Sequence, residues 1–271
     1  MHEMIISTLR SPFLPTPFKK LSKHKIYFEN FFMQILPSID TQGFIDNALY
    51  VSDVSLEPAE SIISINEHKN FFKEYDLEFK QNITAILNIF DYQQPQVLLI
   101  LAALLEAFEN DTVGGNGSMV ARIDLIQEKD NQKFHLVLPD YEDFYLYKEF
   151  EELFGADSVP DLYLSLTNHQ DYLVYIWENL QHLSSFPDLR KRIRGIYYYA
   201  ISSSKFLAKP IHGSVQECIS LGISLDEINV IKELIHSSLS MYSTMIMHCA
   251  AMRVGLGINQ KKIIKGNKND Q

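Results

Sequence analysis

Apolar residues recur along most of this 271-residue chain at intervals of three and four, the spacing of one face of an α-helix. The densest stretch is "LLILAALLEAF" (98–108). Val97 to Leu105 are nine apolar residues in succession, with Pro95 before them and Glu106 closing the run. A bilayer needs ~20 such residues, so the pattern predicts a buried helix of a soluble core.

A second helix has the same profile. A shift of 148 positions lays "PQVLLILAALLEAF" (95–108) on "STMIMHCAAMRVGL" (243–256) and brings Ala102-Ala103 onto Ala250-Ala251. Small residues in mid-helix let another backbone approach closely. The register holds upstream, where "DLEFKQNITAIL" (76–87) falls on "SLDEINVIKELI" (224–235). Asp76 and Ser224 both stand where an N-cap belongs, just before an apolar stripe. Caps, stripe and alanine pair agree, which predicts a duplicated unit. The openings of the two halves agree more loosely, "FENFFMQILP" (28–37) with "FEELFGADSVP" (150–160). The second half carries extra residues around 197–222, where Pro210 and Gly213 punctuate two helical patterns.

This predicts an N-terminal arm over 1–23, a helical repeat over 24–110, a connector over 111–140, a second repeat over 141–257 and a polar tail over 258–271. The arm is rich in proline and reads as extended chain packed on the body. The connector opens with "GGNGS" (114–118), a flexible turn: no Gly-Lys-Ser/Thr follows, so it is not a phosphate loop. "MVARIDLIQ" and "KFHLVL" then alternate with period 2 around "EKDNQK", the pattern of a β-hairpin bridging the halves. The tail "NQKKIIKGNKNDQ" has the composition of a frayed end.

Charge and cysteine content narrow the function. A net charge of −10 argues against non-specific nucleic-acid binding, which needs a basic face. Cys218 and Cys249 are too few and too far apart for a disulfide framework or a Cys-x-x-Cys pair, so a reducing, cytoplasmic setting fits. The first residues lack the apolar run of a signal peptide, and no membrane partner is expected. No histidine pair has the i, i+4 spacing with an intervening acid that a metal helix uses, so neither a metal nor another cofactor is implied.

Several residues carry candidate chemistry. Asp161 follows Pro160 in a first helical turn, where an acid is ordinary because of the helix dipole. The same residue in an apolar tunnel would have a raised pKa, useful to a general base. His248 and Cys249 are adjacent, hence about 100° apart on a helix, and do not form a catalytic pair. Cys249 falls on the apolar stripe Tyr242, Met245, Cys249, Met252, Leu256 and reads as core. Arg253 is either a cation favoured near a helix C-terminus or a clamp for a substrate carboxylate. "DLRKRIRG" (188–195) reads as a solvated helix face, and Phe144, Tyr147, Phe150 and Phe154 as a core stripe or tunnel lining.

Three stretches carry a family likeness: "QPQVLLILAALLEAF" (94–108), "FEELFGADSVPDLYLSLTNHQDYLVYIWENL" (150–180) and "LDEINVIKELIHSSLSMYSTMIMHCAAMRVGLG" (225–257). With the two-half layout, they resemble the group I 2-haloacid dehalogenases, a tandem duplication of an AhpD-like helical unit. The resemblance implies an all-α pseudo-dimer enclosing a tunnel. It implies hydrolysis in which an aspartate activates a water, the water attacks the halogen-bearing carbon with inversion, and no ester forms. Asp161 stands for that aspartate. Gln94 (with its neighbour Gln93), Asn88, Tyr163 and Arg253 stand for residues that hold water or substrate. The implied partner is a small carboxylate, and a homodimer is open. The alternative is a duplicated helical module without catalysis, binding a small apolar or carboxylate ligand or a protein.

Overall fold

The computed structural model describes residues 1–61, 65–123, 146–154, 159–181 and 186–258. Over these described residues it is all-α apart from one two-stranded antiparallel sheet. The two longest elements are those predicted from the echoing stretches. They are α6, Leu77–Glu109, and α12, Leu225–Gly255, and they pack on each other more extensively than any other pair. Both begin as their caps dictate: Asp76 accepts from Phe79 N at 2.8 Å, and Ser224 accepts from Glu227 N at 3.2 Å. Ala102, Ala103, Ala250 and Ala251 are all buried. α6 runs unbroken through Pro95, although proline donates no N–H to the Asp91 carbonyl.

Around this pair lie α3, Lys25–Ile39, and α4, Gln42–Glu60, together with α10, Pro187–Ser203. Shorter helices complete the shell: α5 (Ile65–Phe71), α7 (Leu146–Phe154), α8 (Asp161–Leu166), α9 (Gln170–Leu180) and α11 (Val215–Ser220). The four basic side chains of α10, Arg190, Lys191, Arg192 and Arg194, are exposed, a solvated face as predicted.

The N-terminal arm packs on the body, but as two helices rather than extended chain. α1, His2–Leu9, buries Ile5 and Leu9, and α2, Thr16–Leu21, buries Phe18 and Leu21. The prolines do not prevent this. Pro15 is the N-cap of α2 and Pro17 lies in its first turn, where no intrahelical N–H is needed.

The strands are β1, Val113–Gly114, and β2, Pro210–Ile211, with Val113 opposite Ile211. The "GGNGS" loop is tied to the segment before β2. Gly115 N and Gly117 N both donate to the Leu207 carbonyl, at 2.8 and 3.2 Å. A Cβ on Gly117 would lie 2.0 Å from the Phe206 carbonyl oxygen, so close backbone approach is what requires glycine. The alternating segments after it fall mostly at 124–138, outside the described residues, as does the tail from 259 onward.

Candidate active site

α8 is buried on every side, from Asp161 through Leu166. Pro160 sets its entry with φ −58°, which puts Asp161 at the first helical position. The carboxylate does not face solvent (4% exposed). It faces the start of α2 instead. Thr16 N donates to Oδ2 at 2.9 Å and Thr16 Oγ1 donates to Oδ1 at 2.5 Å. The Tyr242 hydroxyl, from α12, donates to Oδ2 at 3.3 Å. Burial raises the Asp161 pKa, against the opposing pull of the Thr16 and Tyr242 hydrogen bonds and the Lys19 charge. A carboxylate offers about four acceptor positions. Three are taken, and Oδ1 keeps room for one more donor. Such a group is oriented and biased toward holding a proton.

Tyr163, one turn's side from Asp161, is fully buried and shares a hydrogen bond with His248 Nδ1. Burial lowers the His248 pKa to about 3 and raises that of Tyr163, so two neutral groups meet. Phe150 stacks on Tyr163 at 4.4 Å, and Trp177 sets its edge against Phe150 at 4.5 Å. Tyr147 and Phe150 are buried and Phe154 is half-buried, so the aromatic stripe faces the core over these residues; Phe144 lies outside the described ones. Cys249 is core, with Sγ 3.5 Å from the Leu87 carbonyl.

Arg253 stands in the last turn of α12 and is 3% exposed. Its Nη1 lies 2.6 Å from Asp91 Oδ2, and the Ser52 hydroxyl donates to the other carboxylate oxygen. The guanidinium is therefore neutralised from within the chain. Tyr242 and Arg253 leave α12 eleven residues apart, about 16 Å along its axis at the usual rise. Arg253 thus belongs to a different part of the core from Asp161.

On α6, Gln93 is buried and donates through Nε2 to Ser11 Oγ at 2.5 Å. Gln94 is equally buried, and its Oε1 has no hydrogen-bond partner among the described residues. Asn88 is exposed and is not brought into this group. Of the residues singled out from the sequence, Asp161, Tyr163, Gln94 and Arg253 share the interior, and Asn88 does not. No group of three or more His, Cys, Asp or Glu able to hold a metal occurs among the described residues.

No protein-family model and no curated protein matches the sequence. Solved structures do. A D-2-haloacid dehalogenase mutant in complex with D-2-CPA superposes with TM-score 0.80 at 17% identity, covering 94% of this chain and 89% of that one. A second mutant of such an enzyme gives TM-score 0.84 at 16% identity, covering 93% and 89%. A complex of a D-2-haloacid dehalogenase with L-LA gives TM-score 0.85 at 17% identity, again covering 93% and 89%. The fold is that of the D-2-haloacid dehalogenases.

Within this dehalogenase fold, three partners were invisible to sequence reasoning. Thr16 and Tyr242 orient Asp161, and Asp91 neutralises Arg253. Tyr242 had appeared only as one position of an apolar stripe. A fourth feature is His68, whose buried ring lies against Gly255 and whose pKa is lowered by burial to about 4. No local signal marks any of these, because each contact joins elements far apart in the chain.

Proposed function

We propose that this chain is a hydrolase of the 2-haloacid dehalogenase type. Asp161 draws a proton from a water, the water attacks C2 of a short 2-haloalkanoic acid, halide leaves with inversion, and no ester forms on the protein. The observation that carries this reading is the Asp161 carboxylate itself. It is buried, turned by Thr16 and Tyr242, and left with one acceptor position on Oδ1. Burial raises its pKa, which makes the carboxylate a stronger base than a solvated one. The fold, shared over most of both chains with enzymes named D-2-haloacid dehalogenases, supports the same reaction class. In this reading Gln94 Oε1 is the amide oxygen available to a water or substrate. Tyr163 and its aromatic neighbours shape the apolar side. Arg253 reaches a substrate carboxylate only by leaving Asp91.

α6 and α12 are taken as equivalent elements of two AhpD-like repeats, over 24–110 and 141–257, with the arm, connector and tail outside them. No helix among the described residues is long and apolar enough to cross a membrane. The two cysteines are free and buried, which fits a reducing, cytoplasmic setting and does not require it.

A specific observation favours the non-enzymatic reading. The interior cation is already paired with Asp91, and on the Asp161 side of the core Phe150, Tyr163 and Trp177 pack ring against ring. Halide release from a panel of D- and L-2-chloro- and 2-bromoalkanoic acids separates the two. Release abolished by Asp161→Asn supports the hydrolase. No release from any of them, with the fold intact, leaves the binding module.

A further inference from the structure

Thr16, which holds Asp161 through two hydrogen bonds, also lines a cleft of about 880 Å³ between the arm and α12. Its apolar lining is Pro17 from α2, Phe154 from α7, and Val230, Leu234 and Met241 along one face of α12, with Asn229, Ser237 and Ser238 of α12 beside them. Val230 is left 55% exposed there. The rim on the arm side is basic. Lys19, Lys20, Lys23 and Lys25 crowd seven positions of a chain whose net charge is −10. Lys25 lies 3.9 Å from Glu29, His24 pairs with Glu227 at 2.9 Å, and Lys19 acts on Asp161. Lys20 and Lys23 line the cleft, and neither has an ion-pair partner among the described residues. One acid, Glu233, stands on the α12 side.

An apolar lining with two uncommitted ammonium groups on one rim matches an amphiphilic anion. The volume is that of a site for a mid-sized ligand rather than for a two- or three-carbon acid. We propose that this cleft binds a monocarboxylic acid with an apolar tail, its carboxylate held by Lys20 and Lys23 and its chain laid along Val230, Leu234 and Met241. Arg253, occupied by Asp91, is then not needed to hold a carboxylate. Thr16 both lines the cleft and holds Asp161, so the inference extends the reading above to 2-haloacids with longer apolar tails. It rests on that reading for turnover alone, since binding is measured without it.

The test is calorimetric titration of the intact protein with sodium butyrate, hexanoate and octanoate. Saturable single-site binding is expected, tightening by about fourfold per added methylene, the increment of burying one CH₂. Lys20→Glu with Lys23→Glu should weaken octanoate by about tenfold or more, as expected for loss of a charged partner. Arg190→Glu with Arg192→Glu, which changes net charge equally on the exposed face of α10, should leave it unchanged. Circular dichroism confirms that both variants keep the helical fold. Absent octanoate binding, no dependence on chain length, or equal weakening in the α10 control would overturn the proposal. Octanoate binding without halide release from either 2-bromooctanoate or the short 2-haloacids removes the hydrolase reading alone. Halide release from 2-chloropropanoate that ignores both octanoate and the lysine variant removes the cleft alone.

Discussion

Thr16 and Asp161 are 145 positions apart and joined twice, backbone N–H to Oδ2 at 2.9 Å and hydroxyl to Oδ1 at 2.5 Å. The arm is thereby tied to the buried helix that carries the candidate base. Hydrogen bonds to a charged group contribute about 1.5–3 kcal/mol each. Thr16→Val keeps shape and backbone N–H but removes the hydroxyl bond. It should cost stability of about that size in urea denaturation, and it should raise the Asp161 pKa further, because that bond opposes the shift.

Asp161 also sets a pH dependence. Its folded pKa lies above the ordinary 3.8, so the folded state binds its proton more tightly than the unfolded one. The stability this contributes is present below pH 3.8 and is lost as pH rises through the folded pKa. Asp161→Asn removes the titration. The stability of wild type relative to this variant should therefore fall as pH is raised from about 4 toward neutral. A difference that rises over this window would mean the carboxylate is held in its charged form.

The buried histidines act in the opposite direction. His68 is lowered to about 4 and His248 to about 3, against 6.5 for the free side chain. The unfolded chain then takes up protons first, and stability present above pH 6.5 is lost as pH falls toward 4. For His68 the shift corresponds to about 3 kcal/mol at most. His68→Phe should flatten the acid limb of a stability-versus-pH curve.

How much of this was legible in the sequence depends on range. The caps Asp76 and Ser224, the nine-residue apolar run and the exposed face of α10 are local patterns, and each stands where periodicity put it. The prolines of the arm suggest extended chain, yet Pro15 and Pro17 sit at the cap and first turn of α2, where the ring fits a helix. Asn88 was chosen by its distance along the chain from Gln94. Six residues turn a helix by about 240°, so the two cannot share a face, and Asn88 is exposed. The partners of Asp161 and Arg253 could not be read at all. Nothing about Thr16, Tyr242 or Asp91 in isolation marks it as a neighbour of a residue on another helix.

Asp91 and Arg253 form a buried ion pair on the two central helices. Removing one partner of such a pair leaves an uncompensated charge and costs about 3–5 kcal/mol, whereas replacing both is often nearly neutral. Arg253→Met should be strongly destabilising, and Arg253→Met combined with Asp91→Leu should recover most of the loss. Equal losses in the single and double variants would show that the pair does not act as a unit.

Gly255 is constrained by His68 rather than by backbone conformation. A Cβ there would lie 2.5 Å from His68 Cδ2. Gly255→Ala should cost about 1–3 kcal/mol through overpacking, and His68→Ala should relieve it in the double variant. Thermal denaturation of the four proteins reads this directly.

The claim that Asp161 activates water is tested most directly by a single turnover in ¹⁸O-water, with enzyme in excess over a 2-haloacid. The account predicts labelled 2-hydroxyacid at the first turnover, and loss of most activity in Asp161→Asn, since removing a general base costs ~10²–10⁴-fold in rate. Unlabelled oxygen in the first product would place an ester on the protein, and full activity in Asp161→Asn would remove the residue from the chemistry; either result contradicts the account.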